Sequence, residues 1–399
     1  MTFTSKRHGR LWPLGWALSL FLSCLLSTAA TAGPTVQFFG WGGSTQVNQY
    51  IQWVSAQTET EFGIRVNHVK LADTSDAVSR VLAEKAAGNH HAGSVDLLWV
   101  NGENFAAMQA HGLLKDPWVN QLPNFSLTRP GDNPSMTMDF GVPTQGQEAP
   151  WGKAAMVFYY NQQRVKQPPR NLPQLLLFAQ QYPGRFAYPL PDDYLGISFL
   201  KYAALVLNPQ HQSLMYKPVT PAALAQISQP LFGYLDALHP LLWQQGTYFV
   251  RQASGLQQLF SDHETLLSFS FTAAEIPAAV NRFDLPESTR TYAMEDGSLA
   301  NVHFLAITYN SAQSAAAQTV VNFLLSPRAQ AYKQRLEVWG DETVLAVDAL
   351  TQRQQQMFTT GEHPAAMRKT GYSRLLAEPH ASWADALRDA WYARYGARW

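Results

Sequence analysis

Cysteine is nearly missing from this chain: one, Cys24, stands among 399 residues. It lies in an amino-terminal segment laid out like a secretory signal. Lys6, Arg7 and Arg10 make a basic start, Leu11 to Leu26 an apolar run, and Ala30 to Ala32 an A-x-A ending. Cleavage after Ala32 leaves no cysteine, which excludes disulfides, thiolate-held metals and a cysteine nucleophile from the exported chain. A long exported chain without disulfides relies on its core, and a bacterial periplasm suits it better than a eukaryotic secretory route. One alternative stays open: Cys24, preceded by Phe21-Leu22-Ser23, as the lipidated residue of a lipoprotein.

Long apolar runs are also scarce. The leader's run falls short of the roughly 20 residues of a membrane span and contains Pro13, Gly15 and Ser19, and no second run follows. An excess of basic charge is lacking too. The chain carries 29 basic and 29 acidic side chains, and loss of Lys6, Arg7 and Arg10 leaves 26 against 29. A mildly acidic body without a basic patch argues against nucleic-acid binding. The G-x-S-x-G, H-E-x-x-H, P-loop and EF-hand patterns are missing, so no enzyme, cofactor or resident metal is expected, although scattered catalytic residues would escape such a search.

What is present is length and alternation. The exported chain from Gly33 to Trp399 exceeds what one core usually serves, so two domains are expected. Val36 to Phe39 reads as a buried strand closed by Gly40, and Gly42-Gly43 as a tight turn. Ser44 or Thr45 then caps a helix with Val47, Tyr50, Ile51 and Val54 on one face. Further strands fit Arg65–Leu71 and Val95–Val100, and helices fit Asp73–Ala87 and Glu103–Ala110. This order predicts an α/β fold with a mainly parallel sheet. A proline-rich passage from Leu113 to Gly152 leads to an apolar strand at Met156–Tyr160. Beyond it come a strand near Arg185–Pro189, a helix at Leu195–Leu207, helices either side of Pro240 and a strand at Leu266–Phe271. Val302–Tyr309 predicts a strand and Ala315–Leu325 a helix. A second helix, with Ser326 as cap and Pro327 in its first turn, is read to about Val338. The tail through Trp383 and Trp391 reads as helix packed on one lobe.

The stretch Asn322-Phe-Leu-Leu-Ser-Pro-Arg-Ala-Gln330, after the strand beginning near Gly297, resembles a motif of bacterial extracellular solute-binding proteins of ABC transporters. Phe39-Gly-Trp-Gly-Gly-Ser44 resembles the ligand loop after their first strand, and Pro150-Trp151 with Met156–Asn161 their crossover strand. The resemblance covers nearly the whole exported chain and points to the YnjB-like branch, neighbour of thiamine and polyamine binders. It implies a two-lobed, type II periplasmic-binding-protein fold: a leader over 1–32, lobe one over 33–145 and 290–338, and lobe two over 146–289 and 339–399. It also implies a monomer that captures a small solute in the interlobe cleft and passes it to permease and ATPase subunits. A periplasmic enzyme or a chemosensory module on the same scaffold are the alternatives.

In open α/β sheets ligands sit beyond the carboxyl ends of strands, which selects the loops there. The candidates are Trp41, Gly42, Gly43 and Ser44 after the first strand, and Asn101, Glu103 and Asn104 after the third. Trp151 in the crossover, Asp192, Asp193 and Tyr194, and Phe271 and Glu275 complete the set. Each has a plainer reading: Ser44, Asp193 and Glu103 as helix caps or first-turn acids, Trp41 and Trp151 as packed rings. Tyr159-Tyr160 reads as core strand, His90-His91 as solvated loop and Asp262-His263-Glu264 as a polar turn. The candidate loops are aromatic and acidic, with Lys153 the main basic exception. That composition favours a small organic cation, thiamine-like or polyamine-like, over an anion held at helix N-termini.

Overall fold

Alternating burial along Thr35–Trp41 makes β1, and the apolar stripe of Thr45–Phe62 makes α1, which ends where Gly63 turns at φ 67°. The computed structural model describes residues 33–71, 73–100, 102–358, 363–367 and 372–396, with 4 and 9. The expected leader with Cys24, and the candidate Asn101, lie outside the described residues.

After α1 come β2 (Arg65–Leu71), α2 (Ser75–Ala86), β3 (Leu97–Val100) and α3 (Glu103–Ala110). Short 3-10 turns lead into β4 (Met138–Asp139), β5 (Val142–Pro143) and β6 (Glu148–Ala155). Then follow β7 (Val157–Asn161), α4 (Leu172–Gln181), α5 (Tyr194–Leu207), α6 (Gln212–Met215), α7 (Pro221–Leu238), α8 (Ala253–Ser261), β8 (Leu267–Ser270), α9 (Glu275–Asn281) and β9 (Thr289–Tyr292). The chain closes with β10 (Ser298–Ile307), α10 (Ser314–Leu324), α11 (Pro327–Lys333), α12 (Gln352–Gln355), β11 (Leu375–Ala377) and α13 (Ser382–Tyr395).

Two sheets define two lobes. The larger has the order β11-β10-β3-β1-β2, with β6 also on β10; β2 and β3 run parallel to β1, while β3 and β6 run antiparallel to β10. The smaller, β8-β7-β9, is antiparallel throughout. The parallel pattern suggested by strand–helix alternation thus holds for the opening strands and not for lobe two.

The lobes exchange chain through β6–β7 and through β10. Leu299 packs in the second lobe's core while Phe304 and Leu305 pack in the first, and the Met156 N–H donates to the Leu299 carbonyl at 2.8 Å. The helix at 194–207 and the Ser326 cap form as expected, and Trp383 and Trp391 anchor α13 in the core of lobe two.

Several stretches add to or differ from the sequence reading. Residues 148–155, where the proline-rich passage meets the expected crossover strand at Pro150-Trp151, form β6 in the larger sheet. There Pro150 and Gly152 face consecutive partners Phe304 and His303, and Trp151 is the extra residue of a bulge, the setting in which a strand tolerates proline. Arg185–Pro189 forms no strand; its carbonyls at Arg185 and Phe186 accept from Leu266 and Trp243 outside any ladder. The helices expected either side of Pro240 are α7 and α8, with 3-10 turns between them. Residues 339–350, assigned with the tail, put Trp339, Val344, Leu345 and Leu350 into the core of lobe one, while Thr289–Tyr292 pairs with β7 in lobe two.

Candidate functional site

Because β1, β2 and β3 are parallel, their carboxyl ends share one edge of the larger sheet, and the loop after β1 meets lobe two there. The loop after β1 is fixed by close approaches. The Gly42 N–H donates to Leu71 at 3.1 Å, and a Cβ on Gly42 would fall 2.5 Å from that of Lys70. A Cβ on Gly43 would fall 2.5 Å from Cζ2 of Trp41, so the indole folds back over that glycine. Ser44 caps α1, its Oγ accepting from the Val47 N–H at 3.4 Å.

Opposite stands the start of α5. The Tyr194 ring meets the Trp41 ring edge-on, centroids 6.3 Å apart, which joins the two lobes. Tyr194 keeps 43% of its surface accessible, yet surrounding protein and the charges of Glu275 and Asp193 push its hydroxyl well above the usual tyrosine range. Glu275 opens α9 beside it. Its Oε2 accepts from Ser270 Oγ at 2.5 Å, and burial raises its carboxyl although that bond pulls the other way.

The other candidates divide. Asp193 is a cap: Oδ1 accepts from the Leu195 N–H at 2.8 Å and Oδ2 from that of Ala253 at 3.0 Å. Asp192 turns to the tail, accepting from the Tyr392 hydroxyl and lying 3.8 Å from Nε of Arg388. Glu103 and Asn104 are half-buried in the first turn of α3, just after β3. Phe271 is a core side chain, 6% exposed. Trp151 is a correction: it has no accessible surface and packs among Phe38, Tyr50, Trp99 and Trp339, because the β6 bulge turns it inward. Tyr159 is core strand, as read.

Sequence reasoning missed a cluster on the same face. At Gly340 a Cβ would lie 2.0 Å from that of Ala274, so the 339–342 loop of lobe one touches the start of α9. Next to it His303 Nε2 lies 3.0 Å from Asp341 Oδ1, and Lys333 Nζ binds Oδ2 of the same carboxylate. Trp99 and Trp339 flank the imidazole with centroids 5.3 and 6.5 Å away. Burial alone would raise Asp341, but Lys333 and His303 together hold it below the ordinary carboxylate range. Residues 38 and 8 positions apart from Asp341 carry no periodic signal that would have brought them together.

Trp41 and Tyr194 bring two aromatic rings together where the lobes meet, with the Glu275 carboxylate close to Tyr194. Among the described residues no group of His, Cys, Asp and Glu has the geometry of a metal site, and no helix is long and apolar enough to cross a membrane.

Comparison with known proteins gives consistent results. A sequence profile for bacterial extracellular solute-binding proteins matches residues 52–344. Protein YnjB of Escherichia coli K12 is 39% identical over 391 residues, spanning 96% of this chain and 98% of that protein. Among solved structures, the spermidine/putrescine substrate-binding protein PotD of Streptococcus pneumoniae superposes with a TM-score of 0.63 at 16% identity, covering 92% of this chain and 100% of that one. A periplasmic thiamin binding protein gives 0.60 at 17% identity, with coverage of 92% and 96%. AfuA of Actinobacillus pleuropneumoniae, with bound fructose-6-phosphate, gives 0.62 at 13% identity, with coverage of 90% and 98%. At these identities the structural likeness speaks for the fold, which is the two-lobed α/β fold.

Proposed function

The chain belongs to the bacterial extracellular solute-binding proteins, and from that premise we propose that it is the solute receptor of an ABC-type importer. It captures a small organic cation in the interlobe cleft and presents the closed form to a membrane permease driven by a separate ATPase. The observation that carries this reading is the Trp41–Tyr194 pair across the cleft with Glu275 beside it. Two aromatic faces attract a cation by roughly 0.5–2 kcal/mol each, more when water is excluded, and a carboxylate supplies the opposite charge. A receptor needs only such shape, stacking and hydrogen bonds. Work outside the cytoplasm follows from the family and from the signal-like leader, with release after Ala32 as the proposed maturation.

Calorimetry against thiamine, spermidine, sulfate, phosphate and maltose tests the ligand class. Binding of either cation supports the reading, and Trp41→Ala then weakens it more than tenfold. Tight binding of sulfate or phosphate alone would replace it with an anion held at a helix N-terminus, for which the α1 start, without an acid in its first turn, is available. Small-angle scattering reads lobe closure: the radius of gyration contracts on saturation with the bound compound.

A further inference from the structure

We infer that the hairpin β4–β5 is an interlobe strut, with Asp139 and Phe140 as positioning residues that let lobe two set the β3–α3 recognition loop of lobe one. The inference rests on the reading that this loop lines the ligand cleft.

The hairpin pairs Met138 with Pro143 and Asp139 with Val142, leaving a two-residue turn, Phe140-Gly141. Both turn residues have positive φ, 39° and 75°. Such a turn favours Asn-Gly, and a bulky aromatic at its first position carries strain that persists only where surrounding contacts over-determine it. Those contacts run in two directions. Toward the recognition loop, Asp139 is 1% exposed and its Oδ2 accepts from the Gly102 N–H at 2.7 Å. The Phe140 ring closes on the same glycine: a Cβ there would fall 2.5 Å from Phe140 Cδ2, and Gly102 itself sits at φ 64°. The residue after Gly102 is Glu103, the first of α3. Toward lobe two, the Lys201 ammonium of α5 lies 4.6 Å from the centroid of the Phe140 ring. That ammonium is held by Glu378 at 2.6 Å in a pair with side chains 5% and 3% exposed. The Phe140 carbonyl accepts from the Ala381 N–H at 2.8 Å, and a Cβ on Gly141 would fall 3.1 Å from the His380 Cα. One side chain thus touches both the loop and the opposite lobe, and the backbone on either side of it is pinned to one or the other. When α5 and the 378–381 segment move with lobe two, the ring moves against Gly102.

Three variants test this by amide exchange on the full chain. Phe140→Asn suits the turn better and removes the ring, so the hairpin folds. Asp139→Asn weakens the acceptor for Gly102. Lys201→Met takes the ammonium off the ring and leaves Glu378 buried without it, so its effect is judged against the amides of β1 and β2. Each is expected to speed exchange of the Gly102–Phe105 amides at least fivefold, with the amides of β1 and β2 unchanged. Unchanged exchange at Gly102–Phe105 in Lys201→Met overturns the inference, because lobe two then does not set the loop. Acceleration spread evenly over lobe one in Phe140→Asn overturns it as well, because the hairpin is then merely structural. If spermidine or thiamine binds the natural chain, Phe140→Asn weakens it at least fivefold without lowering the melting temperature. If neither binds, the proposed ligand class fails while the exchange results still decide the strut.

Discussion

Replacing Asp341 by Asn removes the paired carboxylate of a buried ammonium, leaving it the Glu342 carbonyl at 3.3 Å. The Lys333 side chain is 0% exposed and that of Asp341 1%, and His303 is the carboxylate's other partner. Breaking a buried pair by removing one member costs about 3–5 kcal/mol, whereas replacing both by apolar groups of similar volume is often neutral or stabilising. Asp341→Asn is therefore expected to lose about 3–5 kcal/mol at pH 7, and Lys333→Met with Asp341→Leu to recover most of it. The signs across pH follow from linkage. Asp341 is held below its ordinary value, so its contribution is present above an unfolded pKa of about 3.9 and is lost as pH falls through the lower folded value. Burial pulls Lys333 down despite its partner, so the ammonium left behind in the Asn variant costs less as pH rises toward its unfolded value of about 10.4. The gap between natural protein and variant is thus widest between those limits. Urea unfolding read by tryptophan fluorescence suits the assay, since Lys333 Nζ lies 5.4 Å from the Trp339 ring and 5.7 Å from that of Trp151. A loss below about 1 kcal/mol, or a double variant no more stable than the single one, refutes the reasoning.

Other outcomes are expected by the same logic. Glu148 is 1% exposed, neither carboxylate oxygen has a hydrogen-bond partner among the described residues, and burial with the nearby Asp139 raises its pKa well above the ordinary value. The unfolded chain binds fewer protons above about pH 4.3, so this residue destabilises increasingly from there upward; Glu148→Met should gain about 1–3 kcal/mol at pH 7 and less at pH 4, read by thermal melts at both. Trp151→Ala should cost about 3–5 kcal/mol by opening the lobe-one core, and a stable variant with a specific loss of ligand affinity would return that ring to the cleft. Trp383→Ala should loosen α13 from lobe two and lower the melting temperature, because a ring with no exposed surface and an Nε1–H donating to Lys217 at 3.0 Å are lost together.

Local patterns were enough for the opening β1–α3 run, for α5, and for the Ser326-Pro327 helix start, because strand alternation, helical stripes and caps are interactions between near neighbours. The same locality placed Trp41, Gly43 and Glu103 at strand ends, where parallel pairing aligns them whatever their distant partners. Tertiary structure decided the rest. The β6 strand hides behind Pro150 and Gly152 because a bulge, visible only against β10, accommodates them, and that bulge sends Trp151 inward. Asp192 and Asp193 are adjacent in sequence, yet one answers to a tyrosine 200 positions away and the other to backbone N–H groups. The His303–Asp341–Lys333 cluster, and the meeting of Trp41 with Tyr194, exist only once two lobes built from interleaved segments come together. A side chain's type states what it is able to bind. Whether it faces a cleft, a core or a distant partner depends on long-range packing, which leaves no periodic mark on the chain.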